Sequence, residues 1–338
     1  MIIMPACITM ALGLSSPATA YLYWTTYGTT HSGGIARAGL DGGDTTEGFI
    51  PNPFRPGPGE VSSIAISGPY IYFGGGGTGG LIGRASIDGG QVDPDLLRIP
   101  QPPLLPPGPT ARTERDADSV AVADGHIYWS TGDPLATEPS RYGIGRASVD
   151  GDNVEDDFIA SAVPVLTVSI YAGRLYWLTE DAIGRARLDG SDVEPEFIHL
   201  PRTPVSFEVA VAGGYIYWAG ENAIARADIA HRSVDSHFIT GLGVLGAVAT
   251  AGGSIYWLES TLDRAEHAQT AWISRATTAG TEVRTHLVGV DSGPVLRSLP
   301  GTVPFDAVQG VLAVDTRGPQ HTAKQGRRHR PLNRTHRT

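Results

Sequence analysis

Residues 166–198 read LTVSIYAGRLYWLTEDAIGRARLDGSDVEPEFI, and this stretch holds one complete structural unit. It opens on LTVSIY 166–171, where small and β-branched residues alternate. An Ala-Gly pair leads into the aromatic segment RLYW 174–177. IGRARLDGS 183–191 follows, and beyond its Asp189-Gly190 lies a short apolar pair, Phe197-Ile198. Period-two alternation over short runs cut by glycine-bearing turns predicts four antiparallel strands, here A to D. Asp-Gly between apolar strands is a strong hairpin signal, because a two-residue turn of that kind needs positive φ at both positions.

The unit recurs six times. Its aromatic strands are YLYW 21–24, YIYF 70–73, HIYW 126–129, RLYW 174–177, YIYW 215–218 and SIYW 254–257. The C segments are IARAGLDGG 35–43, IGRASIDGG 82–90, IGRASVDGD 144–152, IGRARLDGS 183–191, IARADIAHR 224–232 and ISRATTAGT 273–281. Copies five and six lose the Asp-Gly turn, reading Ala230-His231 and Ala279-Gly280. Small-residue A strands precede the second to sixth aromatic strands: VSSIAIS 61–67, SVAVA 119–123, LTVSIY 166–171, FEVAVA 207–212 and GAVAT 246–250. The first copy lacks an A strand, and VPFDAV 303–308 supplies a spare one, with VLAV 311–314 competing with YLYW 21–24 for the B position. Four-stranded units spaced 39 to 56 residues apart are propeller blades. A missing first strand matched by a spare last one is a ring closure. The expected fold is all-β: a six-bladed β-propeller of four-stranded blades, closed by a C-terminal strand that joins the N-terminal blade.

Composition agrees. Of 338 residues, 44 are Gly and 25 Pro, which fits a turn-dense chain, and 41% hydrophobics supply a core. No apolar run approaches the roughly 20 residues a transmembrane helix needs. Cys7 is the single cysteine, so neither an intramolecular disulfide nor a thiolate zinc site is available. Residues 1–20, MIIMPACITMALGLSSPATA, carry an apolar run and an Ala18-Thr19-Ala20 cleavage pattern. They read as a secretory signal peptide cut before Tyr21, with a buried N-terminal strand as the alternative. The formal net charge is −10, yet 317–338 hold seven basic residues and no acid, which leaves −17 on the rest. An acidic body of that size repels nucleic acid and anionic membrane. The domains expected are a signal peptide over 1–20, a propeller over 21–316 and a basic disordered tail over 317–338.

YWTT 23–26, YWST 128–131 and YWLT 176–179, each followed by an I-x-R-A segment, resemble the YWTD (class B) repeats of the low-density-lipoprotein receptor. The resemblance covers about 21–315 and implies a six-bladed propeller of a stand-alone, bacterial, secreted type. The fourth motif position departs throughout: Thr26, Gly75, Thr131, Thr179, Gly220 and Glu259 stand where the family has Asp. No cysteines are present for flanking EGF-like modules, so the receptors' partners do not carry over.

Strand A lies nearest the axis of a propeller. One face of the A strands reads Ser63/Ala65, Ser119/Ala121, Thr167/Ser169, Glu208/Ala210 and Ala247/Ala249, and is expected to line the channel. Glu208 and Asp306 are its acids. Calcium takes 6–8 oxygens from several groups, and these strands do not offer them. Lyase chemistry in a channel needs a base, and none of the ten histidines falls on an A strand. No metal or other cofactor is implied. The repeated Arg37, Arg84, Arg146, Arg185, Arg226 and Arg275 are expected to pair with an acid or carbonyl of the next blade. The recurrent Trp24, Phe73, Trp129, Trp177, Trp218 and Trp257 are expected to pack between blades. Long insertions all fall in B–C or D–A loops, chiefly in copies six, one, two and three. That arc carries Phe54, Tyr142 and Trp272 as candidate anchors, with Arg55 and Arg141 beside them. The sequence therefore reads as a monomeric binding or scaffold module for an unidentified protein or cell-surface polymer. A propeller hydrolase or lyase with a site at the channel mouth is the alternative.

Overall fold

The computed structural model describes residues 8–9, 20–26, 33–55, 59–76, 79–100, 116–131, 142–201, 204, 208–263, 268–290 and 312–315. Among these, strands form six sheets and no helix occurs. A short β1 (Ile8–Thr9) pairs in parallel with Ala249 and Thr250. Blade one holds β2 (Tyr21–Thr25), β3 (Ile35–Gly39) and β4 (Thr46–Ile50). Blade two holds β5 (Glu60–Ser67), β6 (Tyr70–Gly76), β7 (Leu81–Ser86) and β8 (Asp93–Arg98). Blade three holds β9 (Val120–Ala123), β10 (His126–Thr131), β11 (Tyr142–Ser148) and β12 (Glu155–Ser161). In blade four come β13 (Thr167–Tyr171), β14 (Arg174–Leu178), β15 (Ala182–Arg187) and β16 (Glu194–His199). Blade five has β17 (Val209–Ala212), β18 (Tyr215–Gly220), β19 (Ala223–Asp228) and β20 (Val234–Thr240). Blade six has β21 (Val244–Ala251), β22 (Ser254–Asp263), β23 (Ala268–Thr277) and β24 (Arg284–Val290). Finally β25 (Leu312–Asp315) pairs antiparallel with β2 and completes blade one.

The ring thus closes as expected, but through 312–315. Residues 303–308, Asp306 among them, lie outside the described residues. Register explains the choice. Each inner strand sets a small residue opposite a tyrosine: Ala65 opposite Tyr72, Ala121 opposite Tyr128, Ser169 opposite Tyr176, Ala210 opposite Tyr217 and Ala249 opposite Tyr256. Leu312-Ala313-Val314 repeats this large-small-large pattern and sets Ala313 opposite Tyr23.

Six apolar clusters fill the six seams between blades, and the Tyr-Trp pair builds them by strand alternation. Tyr128 faces forward into the seam with blade four, among Ala121, Ile144, Val168, Leu175 and Trp177. Its neighbour Trp129 faces back into the seam with blade two, beside Ala65, Tyr72 and Ile82. The same split holds for Tyr23/Trp24, Tyr72/Phe73, Tyr176/Trp177, Tyr217/Trp218 and Tyr256/Trp257. Truncating one such buried ring costs about 3–5 kcal/mol. The small face of the A strands is part of this packing: Ala65, Ala121, Ala210 and Ala249 each point into the seam with the following blade.

The turns divide in two. The A–B turns of blades three to six are two-residue hairpins with both φ positive, as at Asp124 (+48°) and Gly125 (+75°), and in blade two's Gly68-Pro69 only the glycine is (+55°). The C–D turns were expected to match and are longer. There Gly151 (+90°) and Asn153 (+55°) are left-handed. The aspartates of these turns instead accept a backbone N–H two residues on, at 3.0 Å from Gly90 to Asp88 and 2.9 Å from Ser191 to Asp189. Gly151 also docks on blade two, where a Cβ would overlap the Leu96 carbonyl.

Candidate functional site

The repeated arginines hold their own blades together. Arg146 and Arg185 reach Glu155 and Glu194 on the outer strand, each at 2.5 Å, and Arg226 reaches Asp235 at 4.0 Å. The guanidinium also lies over the outer-strand phenylalanine: Arg146 over Phe158 at 4.0 Å, Arg185 over Phe197 at 3.7 Å and Arg226 over Phe238 at 3.8 Å. Arg84 and Arg146 do donate to next-blade carbonyls, Val149 at 3.2 Å and Leu188 at 3.4 Å, as expected. Where acids are paired, they belong to the same blade, which corrects the expectation.

Blade one, with Thr46 opposite Arg37, lacks the acid there but keeps Phe49 under the guanidinium at 3.9 Å. Blade six loses both. Across its C–D register Arg275 faces Arg284, and Leu287 occupies the phenylalanine position. Its B and C strands are ten residues each, paired out to Asp263 opposite Ala268, whereas those of the other blades have five to seven. The long B–C insertion expected in copy six is therefore an extended hairpin over 258–263 and 268–272. Glu259 stands where blade four has Thr179, and it is buried. Ser274 Oγ donates to the Glu259 carboxylate at 2.5 Å and accepts the His286 N–H at 3.0 Å. His286 has a φ of +58°, a conformation that costs a residue with a Cβ about 1 kcal/mol or more. Its exposed ring stacks on half-buried Trp272 at 4.2 Å.

The candidate anchors are not brought together. Phe54 is 9% exposed and lies edge-on to Phe73 at 5.6 Å, inside the seam between blades one and two. Its ring is core, held because Asn52 Oδ1 caps its N–H at 2.9 Å. Arg55 is exposed beside it. Tyr142 is half-buried at the start of β11, opposite Ser161. Arg141 lies outside the described residues. The sequence marks Glu259 only as a departure at the fourth motif position and does not single out Ser274 or His286, although Arg275-Arg284 stands at the nine-residue spacing that carries an acid in blades two to five.

Glu208 precedes β17 at the inner edge of blade five. It belongs to a belt in which a side-chain oxygen of one inner strand accepts an N–H of the next. Ser63 Oγ accepts from Val120 at 2.8 Å and Ser119 Oγ from Val168 at 3.0 Å, with Thr167 Oγ1 3.0 Å from Ser119 Oγ. Glu208 takes the Val248 N–H in the same way. It is 2% exposed, and its Oε2 has no partner. Burial pushes its carboxyl well above the usual range, against the smaller opposing pull of that N–H. Its side chain faces blade six, so it sits in a seam wall and not on an open channel face. Among the described residues no three or more His, Cys, Asp or Glu gather as metal ligands, and no helix is long and apolar enough to cross a membrane.

No family model matches the chain, and no curated protein does. The computationally designed Ika8 protein is similar at 11% identity, covering 73% of this chain and 67% of its own, with a TM-score of 0.40. A gluconolactonase from Xanthomonas campestris shows 13% identity over 75% of this chain and 93% of its own, with a TM-score of 0.48. The designed Ika4 protein shows 8% identity over 54% and 94%, with a TM-score of 0.35.

Proposed function

We propose that the chain is a YWTD-like, secreted propeller that serves as a binding or scaffold module for a protein or surface polymer, with blade six as the contact edge. One observation carries this reading. Blade six abandons the arginine clamp and spends the freed positions on a lengthened hairpin with Trp272 stacked on His286. Departures from a local rule within a repeat mark functional sites, and half-exposed tryptophan is a favoured interface residue. The apolar 1–20 stretch supports an extracellular station, and the acidic body disfavours nucleic acid.

The test is binding of the immobilised full chain to alginate, dextran and detergent-solubilised bacterial envelope protein. Binding that falls tenfold or more in Trp272→Ala and His286→Ala, and persists in Val193→Ser on the C–D turn face, is the expected result. Binding indifferent to both blade-six changes overturns the placement. Turnover of a lactone or ester panel would instead make the chain a hydrolase.

A further inference from the structure

Glu208 departs from its belt in chemistry while keeping its place. Equivalent positions on the inner strands of blades two, three and four are the uncharged hydroxyls Ser63, Ser119 and Thr167, of which Ser63 and Ser119 each accept an N–H of the next blade and Thr167 bonds Ser119. Glu208 takes the Val248 N–H and so sets an ionisable group at the seam between blades five and six, whose apolar cluster includes Ala210, Ala219, Leu245, Val248 and Trp257.

The groups facing it are nearly all neutral. No residue of β17, which Glu208 immediately precedes, ionises, and β21, which packs from blade six, has none that does. From β18 comes Tyr217, whose hydroxyl donates to the Thr278 carbonyl at 3.3 Å. From β13 comes Tyr171, at the far end of that strand. Beyond β21, on β22, Glu259 faces the same seam and takes the Ser274 hydroxyl. No described cation faces the Glu208 carboxyl.

A charged carboxylate with one hydrogen bond and no counter-ion is costly inside a protein. It has two escapes: to keep its proton or to reach water. We propose that Glu208 is a proton-operated latch on the blade five–six seam, closed while the carboxyl is neutral and opened locally when it ionises. The raised pKa of this carboxyl fits the geometry. The sign follows from linkage. The folded state holds the proton more tightly than the unfolded chain, whose value is about 4.5. The stability that this one carboxyl contributes is therefore complete below about 4.5 and falls as pH rises, until the folded pKa is reached.

The experiment is urea unfolding of the full chain from pH 4.5 to 9, beside Glu208→Gln and Glu208→Thr, the latter restoring the hydroxyl of the other blades. Relative to either variant, the wild-type unfolding constant should rise above about pH 4.5, by up to about tenfold per pH unit, and level off once the folded carboxyl ionises. Amide exchange should then show faster opening of β17 and β21 in wild type than in the variant at pH 9, with β5 and β9 unchanged. Parallel stability curves would overturn the latch, and so would faster exchange spread evenly over all six blades. If the Gln variant does not fold, the Thr variant supplies the same comparison. Binding at Trp272 is read separately, so either idea can fail without the other.

Discussion

Blade four and blade six are the same unit put to different ends. In blade four Gly184 lies beneath the Trp177 ring, the Thr179 hydroxyl closes the B–C turn by bonding both backbone groups of Ala182 at 3.1 Å, and Arg185 is clamped between Glu194 and Phe197. In blade six Ser274 takes the glycine's place, Glu259 the threonine's, and the clamp is gone. Every residue of the first set is occupied in holding its blade. In the second set, the outer strand gives up internal bonds, and His286 and Trp272 meet at the surface instead. The difference shows what the repeat motif secures, because it can be seen where the motif is missing.

The largest test exchanges the residues under the tryptophans. A Cβ at Gly184 would overlap the Trp177 ring, so Gly184→Ser should destabilise the protein by about 3 kcal/mol in urea unfolding. In the reverse change, Ser274→Gly removes a hydroxyl from the buried Glu259 carboxylate and should cost about 1–3 kcal/mol. If blade four accepts serine as blade six does, the two blades are less different than they look.

A smaller effect separates the arginines. Arg185→Ala should cost about 1–2 kcal/mol, since the Glu194 pair is partly solvent-screened and the Phe197 contact adds to it. Arg275→Ala, facing Arg284, should cost under about 0.5 kcal/mol. Equal losses would break the comparison.

The smallest effect is in acid. The hydrogen bond from Arg185 holds the Glu194 carboxyl below its usual range, and the one from Arg174 does the same for Asp192. A depressed carboxyl contributes stability above its unfolded value and loses it as pH falls through the folded one. Amides of β16 should therefore exchange faster as pH drops below about 4, after correction for intrinsic rates, while those of β24 should not. The same response in both strands would show that the clamp does not tie down the outer edge.

The repeat was legible because each seam needs the same alternation, and Tyr128 with Trp129 writes it plainly. The closing strand was harder. Its cue is a single small residue, Ala313, whose meaning depends on Tyr23 nearly three hundred residues away. The acids that stand opposite the arginines could have been read from spacing: Arg84 to Asp93, Arg146 to Glu155, Arg185 to Glu194 and Arg226 to Asp235 are each nine residues apart. Phe54 reads as an exposed loop aromatic because nothing in its neighbourhood foretells the Phe73 ring it meets. Glu208 stood out as an acid on an inner strand. That it faces a seam could not be read from one strand alone.

The pairing of β25 with β2 also has a bearing on how the chain is made. Blade one is the first to leave the ribosome and the last to be finished, because its inner strand is translated after all five other blades. At ordinary elongation rates of 5–20 residues per second, β2 waits roughly 15–60 s with one edge unpaired. An open edge of that kind templates pairing with other chains. The newborn protein therefore passes its most aggregation-prone interval with five blades able to pack and the ring still unlocked, and the final few residues of the propeller decide whether that edge is closed by its own chain or by another.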